Sequence, residues 1–350
     1  MKNFKQLSIV ALSLGLIISA CSSSGGDNPT NEPTLVGNWI KKGDFDGNGR
    51  QGASSFVIGD SAYIGTGFDG DRRFNDFWVY NVNSDSWRQR ASLPGVARNT
   101  AVGFAVGTKG YITTGFDGTR RLQDNWEYDP ATNAWTRRAD LPDGVNNPVG
   151  SGARIGAVAF SIGTKGYVVG GFNGSHQKDA WSFTPSTNTW NQEISMGGSK
   201  RQGAVAWVYN NKAYVVSGIN NGTPVNDFWE YDPANATTPW KQLRNISNTS
   251  SEAYDDSYTS IIRANAVGFV LGTKGYLATG ENGGFLKTTW EYNFSNDTWT
   301  RLSDFERSER SGSVGFAVKG KGFVAFGRNS TFYLDNVEEF RPTDAINTND

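Results

Sequence analysis

The sequence predicts an all-β protein: a six-bladed β-propeller of four-stranded blades, closed by its N-terminal strand. Three observations carry this. A tryptophan returns at 39, 87, 135, 190, 240 and 299, with gaps of 48, 48, 55, 50 and 59 residues, and a period near 50 marks one supersecondary unit copied around an array. An arginine keeps register beside it, at 50, 98, 154, 201, 263 and 310, with a large aromatic six residues later and another ring thirteen residues later. Between these landmarks the runs are short, apolar and β-branched or aromatic, punctuated by Gly, Asn and Asp, which is strand and turn chemistry.

Each unit opens with strand one, which carries Phe56, Phe104, Phe160, Trp207, Phe269 or Phe316. Strand two carries Tyr63, Tyr111, Tyr167, Tyr214, Tyr276 or Phe323 and ends at a glycine, at 67, 115, 171, 218, 280 and 327. GTKGY at 107–111, 163–167 and 272–276 is the tight turn joining these two strands. Strand three carries the pairs Trp78/Tyr80, Trp126/Tyr128, Trp181/Phe183, Trp229/Tyr231 and Trp290/Tyr292, with a lone Phe340 in the last unit. DPATNAW at 129–135 and TPSTNTW at 184–190 turn it into strand four, the tryptophan strand. The last unit ends near Arg341-Pro342 without that strand, while the chain carries an orphan one around 39–42. The first strand therefore completes the last blade and covers its exposed edge.

The pattern Arg…aromatic…Gly-x-Lys-Gly-Tyr…Gly…Trp-x-Tyr-Asp-Pro…Thr-x-x-Trp resembles the kelch repeat, over roughly 37–342. It departs from that repeat after strand two, where Gly-Gly is intact only at Gly170-Gly171 and reads Thr66-Gly67, Thr114-Gly115 and Ser217-Gly218 elsewhere. The tryptophans and tyrosines read as inter-blade packing, so truncating one should cost roughly 3–5 kcal/mol.

The chain opens as a targeting segment. Lys2 and Lys5 precede an apolar stretch at 7–18 that is too short for a permanent membrane span. Ile18-Ser19-Ala20-Cys21 resembles a bacterial lipobox, which implies a signal peptide over 1–20 and lipidation of Cys21. The alternative is an ordinary secretory peptide cut near Ala20. Residues 21–36 read as a flexible tether, and 343–350 as a disordered tail. Ser22, rather than an acidic residue, follows the cysteine, and by resemblance to sorting rules this leans towards the outer membrane. The expectation is a monomer held in a bacterial envelope through its lipid anchor alone.

With 33 basic against 34 acidic residues, no global field favours nucleic acid. The chain has one histidine, His176, and one cysteine. Copper radical oxidases, which some kelch-like propellers resemble, need several histidines and a crosslinked cysteine, so that chemistry is excluded. Zinc hydrolysis lacks a ligand cluster, no nucleophile elbow or phosphate loop is present, and no cofactor is expected. Length varies in the loops before strand one, at 141–154 and 243–263. Variable loops on a rigid scaffold are where binding concentrates, so the face bearing the 4–1 and 2–3 loops, the top, is the candidate surface.

The register arginines Arg50, Arg98, Arg154, Arg201, Arg263 and Arg310 open strand one and are expected to ring the upper mouth of the channel. The 2–3 loops add Arg72-Arg73, Arg120-Arg121, His176 and Lys178. Guanidinium forks suit carboxylate or phosphate, so Arg72 and Arg120 join the six as ligand-binding candidates. The competing reading is structural: the arginines hold loop carbonyls or an acidic neighbour such as Asp69, Asp117 or Glu281. The expected role is binding of a glycan, an acidic small molecule or an envelope protein. Envelope kelch-like propellers also include sialic-acid mutarotases, and that resemblance implies an epimerase alternative with Glu281, Glu252 or Glu193 as its carboxylate. Asp44, Asp46 and Asn48 resemble the first half of a calcium loop, but Ser55 stands where its bidentate glutamate belongs.

Overall fold

The computed structural model describes residues 35–144, 151–246 and 261–349. Six four-stranded antiparallel sheets are built from successive stretches of chain. Blade one is typical: Ser54–Ile58, Ser61–Gly65, Phe77–Asn81 and Ser86–Arg90, paired in that order. The first strands of the other blades are Val102–Val106, Val158–Ile162, Val205–Tyr209, Val267–Leu271 and Val314–Val318. Each touches the first strand of the blade before and after it, and the sixth touches the first. The six inner strands thus enclose a central channel.

Radial position explains the composition of each strand. Strand two lies between neighbouring blades on both faces, so Tyr111, Ile112 and Thr113 are all buried, the pattern of a sheet covered on both sides. Strand four is outermost, and Ser86–Arg90 buries only Trp87. The inner strand packs alternate residues onto the next blade. A Cβ on Gly110 would stand 2.0 Å from the Phe56 ring of blade one, and one on Gly166 at 2.0 Å from the Phe104 ring of blade two. The glycine of Lys-Gly-Tyr is therefore the space into which the preceding blade's phenylalanine fits.

The tryptophan ladder works between blades. Trp135 Nε1 donates to Ala91 O at 2.7 Å, Trp190 Nε1 to Ala139 O at 2.8 Å and Trp240 Nε1 to Ile194 O at 2.8 Å. Each ties an outer strand to the end of the preceding blade. Trp135 also meets Phe77 of blade one edge-on at 4.8 Å.

Closure follows the expected route. Asn38–Lys41 pairs with Val337–Arg341, placing Trp39 opposite Phe340 and completing blade six. Trp39 is fully buried, its ring 4.5 Å from Phe340 and 4.8 Å from Phe305. The segment after Arg341 is not a free tail as far as residue 349. Asp344 O accepts from Gly37 N–H at 2.8 Å, and Asn347 N–H donates to Asn38 Oδ1 at 2.7 Å. The closing strand offers these groups, so the tail is held against it.

Candidate functional site

The register arginines do not face the channel. All six are only 0–2% exposed, which overturns the expectation that they meet a ligand. Each side chain repeats one set of contacts. Nε donates to the carbonyl two residues earlier: Asn48, Val96, Gly152, Ser199, Ile261 and Ser308. One terminal nitrogen donates to the carbonyl sixteen residues later: Thr66, Thr114, Gly170, Ser217, Thr279 and Phe326. In blades one to four the fork closes on an aspartate two residues before the strand-three tryptophan. Arg154, for example, meets Asp179 at 2.7 and 2.9 Å; the other partners are Asp76, Asp124 and Asp227. Little of the guanidinium is left for a ligand.

The same contacts explain the departure from Gly-Gly. The residue whose carbonyl the arginine holds is left-handed in every blade: Thr66 (φ 64°), Thr114 (66°), Gly170 (66°), Ser217 (63°), Thr279 (58°) and Phe326 (65°). For a non-glycine this costs on the order of 1–2 kcal/mol, and such strain persists only where its surroundings over-determine it. The buried arginine supplies that determination.

Electrostatics differ between blades. In blade two, burial raises the Asp124 carboxyl, but hydrogen bonds and charge from Arg98 outweigh it and hold it below its ordinary value. Blades five and six offer Thr288 Oγ1 and Asn336 Oδ1 in place of the aspartate. There burial pushes Arg263 down to about 9 and Arg310 to about 10. Blade six moves its carboxylate two places along the strand. The buried Glu338 stands where the other blades have tryptophan and accepts from Asn336 Nδ2 at 2.8 Å.

The upper mouth itself is a backbone ring. The second residue after each arginine is left-handed: Gly52, Thr100, Gly156, Gly203, Asn265 and Gly312, at φ 52–67°. The N–H of each donates to the carbonyl of its counterpart in the preceding blade at 2.8–3.2 Å, and Gly52 closes the circle onto Gly312. Above and within this belt is a cavity of about 340 Å³ whose charged lining is Glu281 and Arg328, with Gln51, Asn265 and Ser311 beside them. Below it the bore is walled by Ala53, Ala101, Ala157, Ala204 and Ala266.

A collar of rings and cations surrounds the mouth. The residue after each strand-two glycine pairs across its own 2–3 loop: Phe68 with Arg73, Phe116 with Arg121, Phe172 with His176, Ile219 with Pro224, Glu281 with Phe285 and Arg328 with Tyr333. Several of these side chains lean onto the next blade. The Arg73 guanidinium lies between Phe68 (4.7 Å) and Phe116 (4.9 Å), and Nε donates to Asn99 Oδ1 at 2.9 Å. Arg121 lies over Phe172 at 4.8 Å, and Phe172 meets the His176 ring at 5.0 Å. His176 Nδ1 lies 3.1 Å from Asn221 Oδ1 of blade four. Arg328 covers Phe285 at 5.0 Å, and Tyr333 meets Phe68 edge-on at 5.9 Å. Among the described residues, no carboxylate pairs with Arg73, Arg121 or Arg328. The buried Arg121 Nε and His176 Nε2 have no hydrogen-bond partner.

The remaining candidates are dispersed. Arg72 and Arg120 stand beside the collar on the same loops, with side chains 62% and 75% exposed near Asp69 and Asp117. The sequence located these arginine pairs, but it is the second member of each that stacks on the collar rings, while Arg72 lies over Phe74 at 5.2 Å. Glu281 lines the mouth, its Oε1 accepting from Asn265 Nδ2 at 2.7 Å. Glu193 does not join it: the outermost strand of blade three holds it, 2.6 Å from Ser182 Oγ and 3.9 Å from Lys165. Glu252 and Cys21 lie outside the described residues. Two of the three calcium candidates already have partners. Asp44 pairs with Lys41 at 3.1 Å, Asn48 Oδ1 accepts from Arg72, and no metal-binding group of His, Cys, Asp or Glu occurs among the described residues.

Comparison with known proteins agrees with this architecture. The chain matches the model of the KLHDC2/KLHL20/DRC7 Kelch-repeats domain over residues 41–200 and 152–327. It is similar in fold to the solved structure of YjhT, at 17% identity and a TM-score of 0.68, covering 84% of this chain and 95% of that one. No curated protein matches the sequence. With the model spanning most of its length, the chain belongs to the kelch-repeat family.

Proposed function

We propose that this kelch propeller is a binding module whose upper face takes an anionic ligand: an acidic glycan, an acidic small molecule or an acidic segment of an envelope protein. The carrying observation is that Arg73, Arg121 and Arg328 are stacked on aromatic rings around the mouth with no carboxylate partner among the described residues. Stacking holds a guanidinium by its faces and leaves its N–H edge for planar anions. The rigid ring beneath, with its closed hydrogen-bonded belt, keeps these groups ordered before binding, which lowers the entropy lost on association. In this reading Cys21 anchors the propeller in a bacterial envelope, at the outer membrane, and the tether presents it.

The test is calorimetric titration of acidic and neutral monosaccharides into the soluble ectodomain and into Arg73→Gln/Arg121→Gln. Binding of acidic sugars only, weakened in the variant, supports the reading. Equal binding of neutral sugars, or an unaffected variant, rejects it.

A second reading has one observation behind it: Glu281 and Arg328 line the same cavity. A carboxylate for proton transfer beside a cation for a sugar carboxylate is the minimum for anomer exchange. An NMR anomer-exchange assay with N-acetylneuraminate decides it. Acceleration abolished by Glu281→Gln supports the mutarotase, and no acceleration above buffer rejects it.

A further inference from the structure

We infer that the collar reads an extended acidic glycan, a chain of sugar rings each carrying one carboxylate, along an arc from Arg73 through Arg121 to His176. This rests on the anion-binding reading above and specifies its ligand. The three residues occupy equivalent places on consecutive blades, each paired across its own 2–3 loop with Phe68, Phe116 or Phe172. The propeller's rotation repeats the place, and the Arg73 and Arg121 guanidiniums each lie over the ring of the following blade, Phe116 at 4.9 Å and Phe172 at 4.8 Å. A monomeric anion satisfies one of these positions; a chain satisfies them in succession. The arc also contains two unmet polar groups on side chains that touch one ring. Arg121 Nε and His176 Nε2 are buried without partners, on side chains that flank Phe172 at 4.8 and 5.0 Å. His176 is itself more than nine-tenths buried. Each of these nitrogens can still take an acceptor that reaches it, and a carboxylate is such an acceptor.

Neighbouring acids select a glycan over a nucleic acid. Asp69 and Asp117 sit in the same loops as the arginines. Burial raises each carboxyl, but backbone N–H groups, led by those of Arg72 and Arg120, outweigh it and hold both below their ordinary values. They stay ionised at neutral pH. A phosphodiester backbone, with few free hydroxyls, has little to donate to them. A carboxylated glycan instead offers hydroxyl donors to Asp69 and Asp117 between the carboxylates that Arg73 and Arg121 take. The chain's net charge of −1 removes the long-range field that non-specific nucleic-acid binding needs.

The experiment is calorimetry on the soluble ectodomain with galacturonate monomer, dimer, trimer and tetramer, and with a single-stranded DNA oligomer of matched charge. The expected result is at least a tenfold gain in affinity from monomer to trimer. Each of Arg73→Gln and Arg121→Gln should lose roughly tenfold on the trimer and a smaller, two- to threefold amount on the monomer, with the melting temperature lowered by no more than a few degrees. Replacement by lysine keeps the charge without the fork and should recover only part of the gain. Monomer and trimer binding with equal affinity overturns the chain reading and leaves the anion site standing. Silence with every sugar overturns both. DNA binding as tightly as the trimer also overturns it, by showing a general polyanion surface.

Discussion

If the register arginines are struts rather than ligand contacts, removing one should cost stability directly. Arg98 is the clearest case. It is fully buried, donates to Val96 O and Thr114 O at 3.0 Å each, and meets Asp124 Oδ2 at 2.7 Å. Arg98→Ala leaves Asp124 largely buried without its cation, and breaking a buried pair from one side costs about 3–5 kcal/mol. Thr114 then loses the contact that supports its left-handed backbone, which adds to the loss. For a domain of this size the Tm should fall by roughly 5–8 °C. Asp124→Asn is the milder control, because blade six already uses Asn336 in this place. Exchanging a charged for a neutral hydrogen bond there should cost about 1–2 kcal/mol. Urea unfolding monitored by tryptophan fluorescence measures both. A loss below about 1 kcal/mol for Arg98→Ala, accompanied by loss of anion binding, would refute the structural assignment.

Thr114→Gly should stabilise the protein by about 1 kcal/mol, since it relieves a left-handed threonine whose buried Oγ1 has no partner; thermal melting shows the sign. Trp39→Ala should cost roughly 3–5 kcal/mol and free the closing strand, read as faster proteolytic cleavage near residue 40. Because Asp124 is held below its ordinary 3.8, its contribution is complete above about pH 4 and is lost as the pH falls through its folded value. Asp124→Asn should therefore show a shallower acid-side loss of stability than wild type between pH 5 and 2. A Cβ on Gly118 would stand 2.7 Å from the Arg73 guanidinium, on a backbone at φ +104°. Gly118→Ala should thus weaken anion binding severalfold while lowering stability by only about 1–2 kcal/mol.

The fold was legible because its determinants repeat. Tryptophan, arginine, tyrosine and glycine recur in one register, and the missing tryptophan strand of the last unit identified the closing strand. The site was legible only in part. The arginine register is as regular as the tryptophan ladder for the same reason: both are packing. Its partners were also in the sequence, as the aspartate two residues before tryptophan in four units, replaced by Thr288 and Asn336 in the other two. The collar repeats in position but not in residue type. The residue after each strand-two glycine runs Phe68, Phe116, Phe172, Ile219, Glu281 and Arg328, and a search for recurrence passes over such a series. The choice between Arg72 and Arg73, or Arg120 and Arg121, depends on which member pairs across the loop. Composition does not carry that information.

The most direct test is one calorimetric comparison of galacturonate trimer binding to wild type, Arg121→Gln and Arg98→Lys, the last at a temperature where it remains folded. The account predicts that Arg121→Gln loses binding with its melting temperature lowered by no more than a few degrees. Arg98→Lys should melt earlier and bind the trimer as wild type does. Retained binding in Arg121→Gln together with lost binding in folded Arg98→Lys would contradict it, placing the ligand on the buried register instead of the collar.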